Sequence, residues 1–208
     1  MTDDLNSVNM EWREGRAYHH GDLRAALIAA SEAVIAERGV DGFSLREAAR
    51  RAGVSPAAPG HHFRDSRGLL TAVATAAFRD FGDALAAAGE GGDHEARVRA
   101  MGLAYVRFAL DSPARFDLMW RRSLLDSGDP DLAAAGDRAF MILDKAARGE
   151  QAGRKEADDL AQAPSIAAWS IVHGFARLAL EGAFGSEPGA AERAAEALLP
   201  RVLDHLVL

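Results

Sequence analysis

Cysteine is absent from the 208 residues, so the chain can form neither disulfides nor thiolate metal sites. No apolar run approaches the roughly eighteen residues that a membrane-spanning helix needs. The opening segment MTDDLNSVNME is polar and acidic, unlike a secretory signal. Together these absences favour a cytoplasmic protein without a membrane partner.

The short motifs of common catalytic sites are missing as well. There is no Gly-Lys-Ser/Thr phosphate loop, no Gly-x-Ser-x-Gly turn and no His-Glu-x-x-His pair. The adjacent pairs Asp158-Asp159 and His61-His62 are candidates for chemistry, but neighbouring side chains on a helix point in different directions. A metal site also needs further ligands in a defined geometry. We therefore predict no enzyme activity, no catalytic or metal-binding residues and no cofactor.

The net charge of −7 is unfavourable for binding nucleic acid, but the charge is unevenly distributed. Residues 38–67 contain six arginines and three acidic residues, a local balance of +3, which leaves −10 for the remainder. An acidic protein with one small basic face binds DNA weakly outside that face and makes its specific contacts through it. The length fits one large domain or two small ones.

Residues 44–63 contain the pattern on which the interpretation depends. Ser44 and Glu47 form a capping-box pattern, which predicts that a helix begins at Ser44. Gly53 can adopt the left-handed conformation that ends a helix. Ser55 suits the cap of a second helix and Pro56 its first position. Two short helices joined by a tight turn form a helix-turn-helix, in which the second helix enters the DNA major groove.

The second helix is predicted from Pro56 to His62, and it contains two unusual residues. Pro59 lacks an amide hydrogen, so the helix is expected to be tightened or restarted there. Gly60 has no side chain and would let the main chain approach a phosphate closely. Further helices are predicted from Asp22, as the cap of the first helix, and from Ser66 to about Ala88.

The segment GVDGFSLREAARRAGVS at residues 39–55, together with His62-Phe63 and Leu69-Leu70, resembles the DNA-binding domain of the TetR family of transcriptional regulators. Members generally carry a leucine-like residue and a tyrosine where this chain has Pro59 and Gly60, and a lysine where it has Ser66. The pattern Trp-x-x-x-His-Gly at residues 169–174 resembles the C-terminal domain of one branch of that family.

The resemblance implies an all-α fold with an N-terminal three-helix helix-turn-helix DNA-binding domain and a C-terminal helical domain for ligand binding and dimerisation. The expected division is a flexible arm at 1–18, the DNA-binding domain at 19–67 and the effector-binding and dimerisation domain at 68–208. The last two helices are expected to pair with their copies in a partner subunit.

The function implied is that of a ligand-responsive repressor that binds a palindromic operator in double-stranded DNA as a homodimer. The alternatives are a transcriptional activator, or a helical small-molecule-binding protein or enzyme that retains the N-terminal domain as a scaffold. The candidate DNA contacts are Ser44, Arg46, Ser55, Ala57, Ala58, His61, His62 and Arg67. Helix starts favour phosphate contacts, whereas alanines at a recognition helix suit thymine methyl groups.

A small-molecule effector of unknown identity is the other expected partner. Aromatic and methionine side chains suit an apolar or aromatic ligand. The candidate pocket residues are Met101, Tyr105, Phe108, Phe116, Met119, Trp120, Phe140, Trp169 and His173.

Overall fold

The computed structural model describes residues 20–149, 152–153 and 159–205, and this part of the chain is all-helical without strands. The head comprises three helices: α1 (His20–Arg38), α2 (Leu45–Arg51) and α3 (Ala58–Phe63). The long helix α4 (Ser66–Ala88) joins the head to the body. The body comprises α5 (His94–Asp111), α6 (Pro113–Trp120), α7 (Pro130–Arg148), α8 (Ala163–Leu180), α9 (Ala190–Ala197) and α10 (Leu199–Leu203). The predicted fold class is confirmed, whereas the predicted arm at 1–18 lies outside the described residues.

The turn between α2 and α3 has the geometry that its sequence predicts. Ser44 caps α2 and accepts a hydrogen bond from the Glu47 amide at 3.4 Å. After α2, Gly53 has a φ of +70°. The Gly53 amide donates to the Arg50 carbonyl, and the Val54 amide donates to the Ala49 carbonyl at 3.0 Å. This pair of bonds is a Schellman motif, which satisfies the last carbonyls of the helix.

The second helix of the helix-turn-helix begins later than the sequence predicts. α3 begins at Ala58, not at Pro56, and its cap is the backbone of Ala57, with no side-chain cap from Ser55. A helix from Pro56 would need an amide hydrogen at its fourth residue, Pro59, which has none. Residues 55–58 instead form a turn, in which the Ala58 amide bonds to the Ser55 carbonyl at 3.0 Å. The proline then falls in the first turn of α3, where its missing donor costs little.

The corner between α3 and α4 is tightly built. Arg64 has a φ of +65° and a ψ of −58°, and the Asp65 amide bonds to the Phe63 carbonyl at 2.8 Å, which makes Arg64 the centre of a γ-turn. Asp65 caps α4 by accepting from the Gly68 amide at 2.9 Å. A Cβ at Gly68 would lie 2.0 Å from the Phe63 carbonyl oxygen, so glycine there permits the close contact between α3 and α4. The predicted bounds of α4 are confirmed.

The first helix starts earlier than predicted. α1 begins at His20, and Asp22 is its third residue rather than its cap.

α1 packs on α2, α4 and α6. A cluster in the head contains Leu27, Ala48, Phe63, Leu69 and Ala72. A second cluster joins the head to the body and contains Ile35, Val40, Leu70, Val73, Ala74, Leu118 and Leu125. Since α4 contributes to both, the head is seated on the body through a shared core.

A buried ion pair fixes the end of α7. Asp144 is 1% exposed and accepts hydrogen bonds from Arg148 Nε at 2.6 Å and Nη2 at 2.8 Å. Ser165 Oγ and the Gly153 amide also donate to it, at 2.6 and 2.9 Å. Hydrogen bonds from Arg148 hold the pKa of the Asp144 carboxyl down at about 2. This network ties α7 to the start of α8.

No helix in the described part of the chain combines the length and the apolar composition that a membrane crossing requires.

Candidate DNA-binding surface and effector cavity

Seven of the eight candidate DNA contacts, all except Arg67, belong to α2 and its cap, the following turn, or α3. Arg46, Ser55, Ala57 and His61 are exposed, whereas Ser44, Ala58 and His62 are half-buried. Gly60 lies on the exposed surface of α3, and a Cβ added there would meet no atom within 4 Å. At Gly60 no side chain covers the backbone of α3, so the main chain there is accessible to a large partner.

Most of the positive charge near this surface is neutralised by neighbouring carboxylates. Glu47 accepts from Arg50 at 2.7 and 2.8 Å and from Arg51 at 2.9 Å. Hydrogen bonds from Arg50, and then from Arg51, lower the pKa of the Glu47 carboxyl to about 2. Arg51 also pairs with Glu37. The capping-box pattern predicts that the Glu47 carboxylate bonds to the start of α2. In the structure it binds Arg50 and Arg51 instead.

Arg46 differs from these arginines. Its side chain is exposed, and it forms no ion pair or hydrogen bond with any residue that the structure describes. Its guanidinium is therefore available to a phosphate without first losing an internal partner.

Arg67 is turned towards the body. Its Nη1 donates to the Leu125 carbonyl at 2.9 Å and its Nη2 to the Ser123 carbonyl at 3.1 Å. Both acceptors lie between α6 and α7. In this arrangement Arg67 links α4 to the body, and a phosphate would compete with those two carbonyls for it.

A cavity of about 410 Å³ opens in the body between α4, α5, α6, α7 and α8. Five of the nine candidate pocket residues line it: Tyr105, Met119, Trp120, Phe140 and Trp169. Residues that sequence reasoning did not assign to the pocket complete the wall: Phe78, Phe81, Leu85, Arg122, Leu125, Ser127, Leu132, Ala133, Gly136, Asp137, Ala139 and Leu143. Phe78, Phe81 and Leu85 lie on α4, where helical periodicity gives core and cavity residues the same pattern.

The other four candidates have different positions. Phe116 is completely buried, and its ring lies 5.9 Å from that of Tyr105 and 5.5 Å from that of His173. Met101 lines a separate small cavity of about 30 Å³, while Phe108 faces a shallow depression on α4 and α5. These residues support the wall from behind or lie away from it.

A hydrogen-bonded triad joins two residues of the cavity wall, Tyr105 and Trp169, to His173, which does not line the cavity. Trp169 Nε1 donates to Tyr105 Oη at 3.2 Å, and that oxygen lies 2.9 Å from His173 Nδ1. Burial raises the pKa of the Tyr105 hydroxyl, and burial followed by the charge of Arg177 lowers the pKa of the His173 imidazole. Both shifts favour the neutral forms, so the triad carries no charge at neutral pH.

Trp120 lies among these rings, 5.0 Å from the His173 ring and 5.5 Å from the Trp169 ring. Its Nε1 is buried and has no hydrogen-bond partner among the described residues. A buried donor without an acceptor costs about 1–3 kcal/mol.

The linking segment, residues 119–127, contacts both the cavity and the head. Trp120 and Leu125 line the cavity. Between them, Arg121 binds Asp41 of the α1–α2 turn through two hydrogen bonds, at 2.6 and 2.8 Å. Arg64 Nη2 lies 3.6 Å from Oδ2 of Asp126 in the same segment. A shift of the cavity wall would therefore act on the head directly.

Two family descriptions match the chain at these two regions. Residues 98–202 match "Tetracyclin repressor-like, C-terminal domain", and residues 27–73 match "Bacterial regulatory proteins, tetR family". The chain belongs to the TetR family. It is accordingly a DNA-binding transcriptional regulator of the helix-turn-helix type.

Solved structures share this fold. A protein of unknown function from Rhodococcus sp. RHA1 is 33% identical, with a TM-score of 0.74 over 93% of this chain and 100% of the other. The TetR family transcriptional regulator PfmR from Thermus thermophilus is 23% identical, with a TM-score of 0.61 over 85% and 93% of the two chains. RolR, solved in complex with resorcinol, is also 23% identical, with a TM-score of 0.57 over 91% and 97%. No curated protein matches the chain.

Within the described part of the TetR family chain, no group of histidine, aspartate and glutamate side chains is arranged to hold a metal ion.

Proposed function

We propose that this TetR family member is a repressor that binds a palindromic operator as a homodimer and releases it when a small molecule fills the cavity. The observation that carries the proposal is the position of the linking segment, which forms part of the cavity wall and also holds the head through Arg121. A ligand can shift the equilibrium only if it binds the DNA-incompetent arrangement more tightly. Because the linking segment contacts both the cavity and the head, a ligand that moves this segment would bind the two arrangements with different affinities.

On this proposal, residues 19–67 act as the DNA-binding unit and residues 68–208 as the effector-binding and dimerisation unit. The exposed end of α3 enters the major groove. Arg46 and the start of α2 contact phosphates, because an unpaired guanidinium and a helix start both attract anions. Ala57 and Ala58 contact thymine methyl groups.

Dimerisation through α8 and the last helices is supported by apolar side chains left on the surface. Ile166 and Leu178 of α8 are 43% and 49% exposed, and Leu198, between α9 and α10, is 46% exposed. Gly174 lies between the first two and has open space around it. By contrast, Val172, Ala176 and Leu199 are buried within the chain, so the partner would bind the opposite face of α8.

The proposal is tested with purified protein and the DNA upstream of its own coding region. Sedimentation or light scattering is expected to give a dimer, and a gel shift at low ionic strength is expected to show binding to a sequence with two-fold symmetry. A matched fragment with scrambled half-sites is the control. A monomer, or a protein that ignores every fragment in a genome-wide selection, would overturn the proposal. A reporter whose expression falls in the absence of the protein would show activation instead.

A further inference from the structure

Arg64 forms the corner between α3 and α4 in a backbone conformation that arginine rarely adopts. Its φ is +65° and its ψ is −58°, and it is the one non-glycine residue with a positive φ in the described part of the chain. Glycine adopts such a conformation without steric cost, whereas a residue with a side chain is strained there. The stability of the head alone would therefore favour glycine, which indicates a role for the arginine side chain outside the fold.

The guanidinium of Arg64 is held only loosely by the protein. Its side chain is 87% exposed, and its ion-pair partner among the described residues is Asp126, with 3.6 Å between Nη2 and Oδ2. That distance is longer than a hydrogen bond, and an exposed ion pair contributes little to stability. Arg67, three residues further on, instead donates two hydrogen bonds to the body at 2.9 and 3.1 Å. A stronger acceptor could therefore take Arg64 from Asp126 at small cost.

The position of Arg64 brings such an acceptor within reach. Its amide donates to the Gly60 carbonyl at 3.2 Å, so Arg64 lies one helical turn beyond Gly60, where the backbone of α3 is exposed. When α3 enters a major groove, the DNA phosphates flank that groove. Arginine binds a phosphate through two parallel hydrogen bonds, which is stronger than a loose exposed pair with a carboxylate.

The competing carboxylate has a fixed position beside the cavity. The Asp126 amide donates to Thr71 Oγ1 at 2.9 Å, and its Oδ1 accepts from the Gly128 amide at 3.0 Å, which leaves Oδ2 towards Arg64. The residues on either side of Asp126, Leu125 and Ser127, both line the cavity. The carboxylate is thus held between two residues of the cavity wall.

We propose that Arg64 binds a DNA phosphate and that Asp126 competes with the DNA for its guanidinium. The linking segment then sets how strongly the head binds DNA, because it carries the competing charge. This inference rests on the proposed function only in placing α3 in the major groove. It adds a phosphate contact and an internal competitor for that contact.

The test is a double-mutant cycle of Arg64→Gln and Asp126→Asn. Fluorescence anisotropy measures binding of the full chain to a labelled duplex from upstream of its own coding region and to a scrambled duplex of the same length. Arg64→Gln is expected to weaken binding to both about tenfold at low ionic strength, and to lower the slope of log affinity against log salt by about one. Arg64→Lys keeps the positive charge and should keep most of that slope.

Asp126→Asn is expected to strengthen binding to both duplexes about threefold, because it removes the competing charge while Oδ1 can still accept from the Gly128 amide. In the Arg64→Gln background the same change should alter affinity by less than about 1.5-fold, since no guanidinium is released. The matched control is Asp131→Asn, which alters an exposed pair with Arg79 at 3.7 Å and should leave affinity unchanged.

Two results would overturn the inference: native affinity in Arg64→Gln, or an equal gain from Asp126→Asn with and without Arg64. The second result would mean that the carboxylate only repels DNA at a distance. A native protein that binds neither duplex would overturn the proposed function as well, so the two failures are distinguishable.

Discussion

Arg121 binds both carboxylate oxygens of Asp41, at 2.6 and 2.8 Å, and so connects the end of α6 to the turn between α1 and α2. Arg121 also donates to Asp117 at 3.1 Å, which orients its guanidinium from the body side. The preceding residue, Trp120, lines the cavity. A residue that lines the cavity is thus followed directly by the residue that binds the head. Because the contact is bidentate, it constrains the orientation of the Arg121 guanidinium relative to the Asp41 carboxylate.

Asp41→Asn is expected to uncouple the cavity from the head. The variant loses the charge that holds Arg121, but because the pair is exposed, the free energy of unfolding should change little. The concentration of effector needed to release the operator should change, while effector affinity in the absence of DNA should not. Gel shifts across an effector titration measure the first quantity and calorimetry the second.

The control for this prediction is Arg107→Lys, which alters an exposed ion pair with Glu196 at 3.4 Å, between α5 and α9 and away from the head. If both variants release the operator as the native protein does, the Arg121–Asp41 contact does not transmit the signal.

Gly60→Ala is expected to weaken operator binding without unfolding the head. The position is helical with open space around it, so alanine should leave the stability unchanged or raise it by up to about 1 kcal/mol. A methyl group there would separate the main chain of α3 from a phosphate. Fluorescence anisotropy with labelled operator should show the loss of affinity. Full affinity in Gly60→Ala would mean that the backbone does not approach DNA closely.

Arg46→Ala is expected to weaken binding to all DNA sequences alike. Loss of one phosphate contact should reduce the slope of log affinity against log salt by about one. Arg50→Ala is the matched comparison, and its effect should be smaller because Glu47 already neutralises that guanidinium. Affinities measured between low and moderate salt test both. A loss confined to one base pair of the operator would instead make Arg46 a base-reading residue.

Asp144→Asn is expected to destabilise the body by about 1–3 kcal/mol, because it weakens the hydrogen bonds that Arg148, Ser165 and the Gly153 amide donate to a buried carboxylate. In the native protein the pKa of Asp144 is lowered in the folded state from 3.8 to about 2. The contribution of the charged Asp144 carboxylate to the free energy of unfolding is therefore fully present above pH 4 and is lost as the pH falls from about 4 towards 2. Urea unfolding across this range measures both effects. Asp137→Asn, an exposed carboxylate on the same helix, should cost little, and equal losses in the two variants would contradict the prediction.

Local sequence is sufficient for the elements whose ends are set by neighbouring residues. The cap at Ser44 and the left-handed conformation of Gly53 act within four residues, so the sequence shows where α2 begins and ends. The predicted start of α3 is too early, because Ser55 and Pro56 also form a good helix start and the restriction from Pro59 outweighs them. The predicted start of α1 is too late for a similar reason, since Asp22 is acceptable both as a cap and in a first turn.

The amino-acid sequence by itself determined the helix-turn-helix, the all-helical body and the family, because caps, apolar periodicity and turn residues are local. Only the tertiary structure decided which apolar residues line a cavity and which fill the core, since Tyr105 and Phe116 have the same helical pattern and differ only in what packs against them. It also decided the charge of the head: six arginines outnumber three acids in residues 38–67, but Glu37 and Glu47 neutralise Arg50 and Arg51 in space. Ion pairs and cavities depend on distances between residues far apart in the chain, which no local pattern specifies.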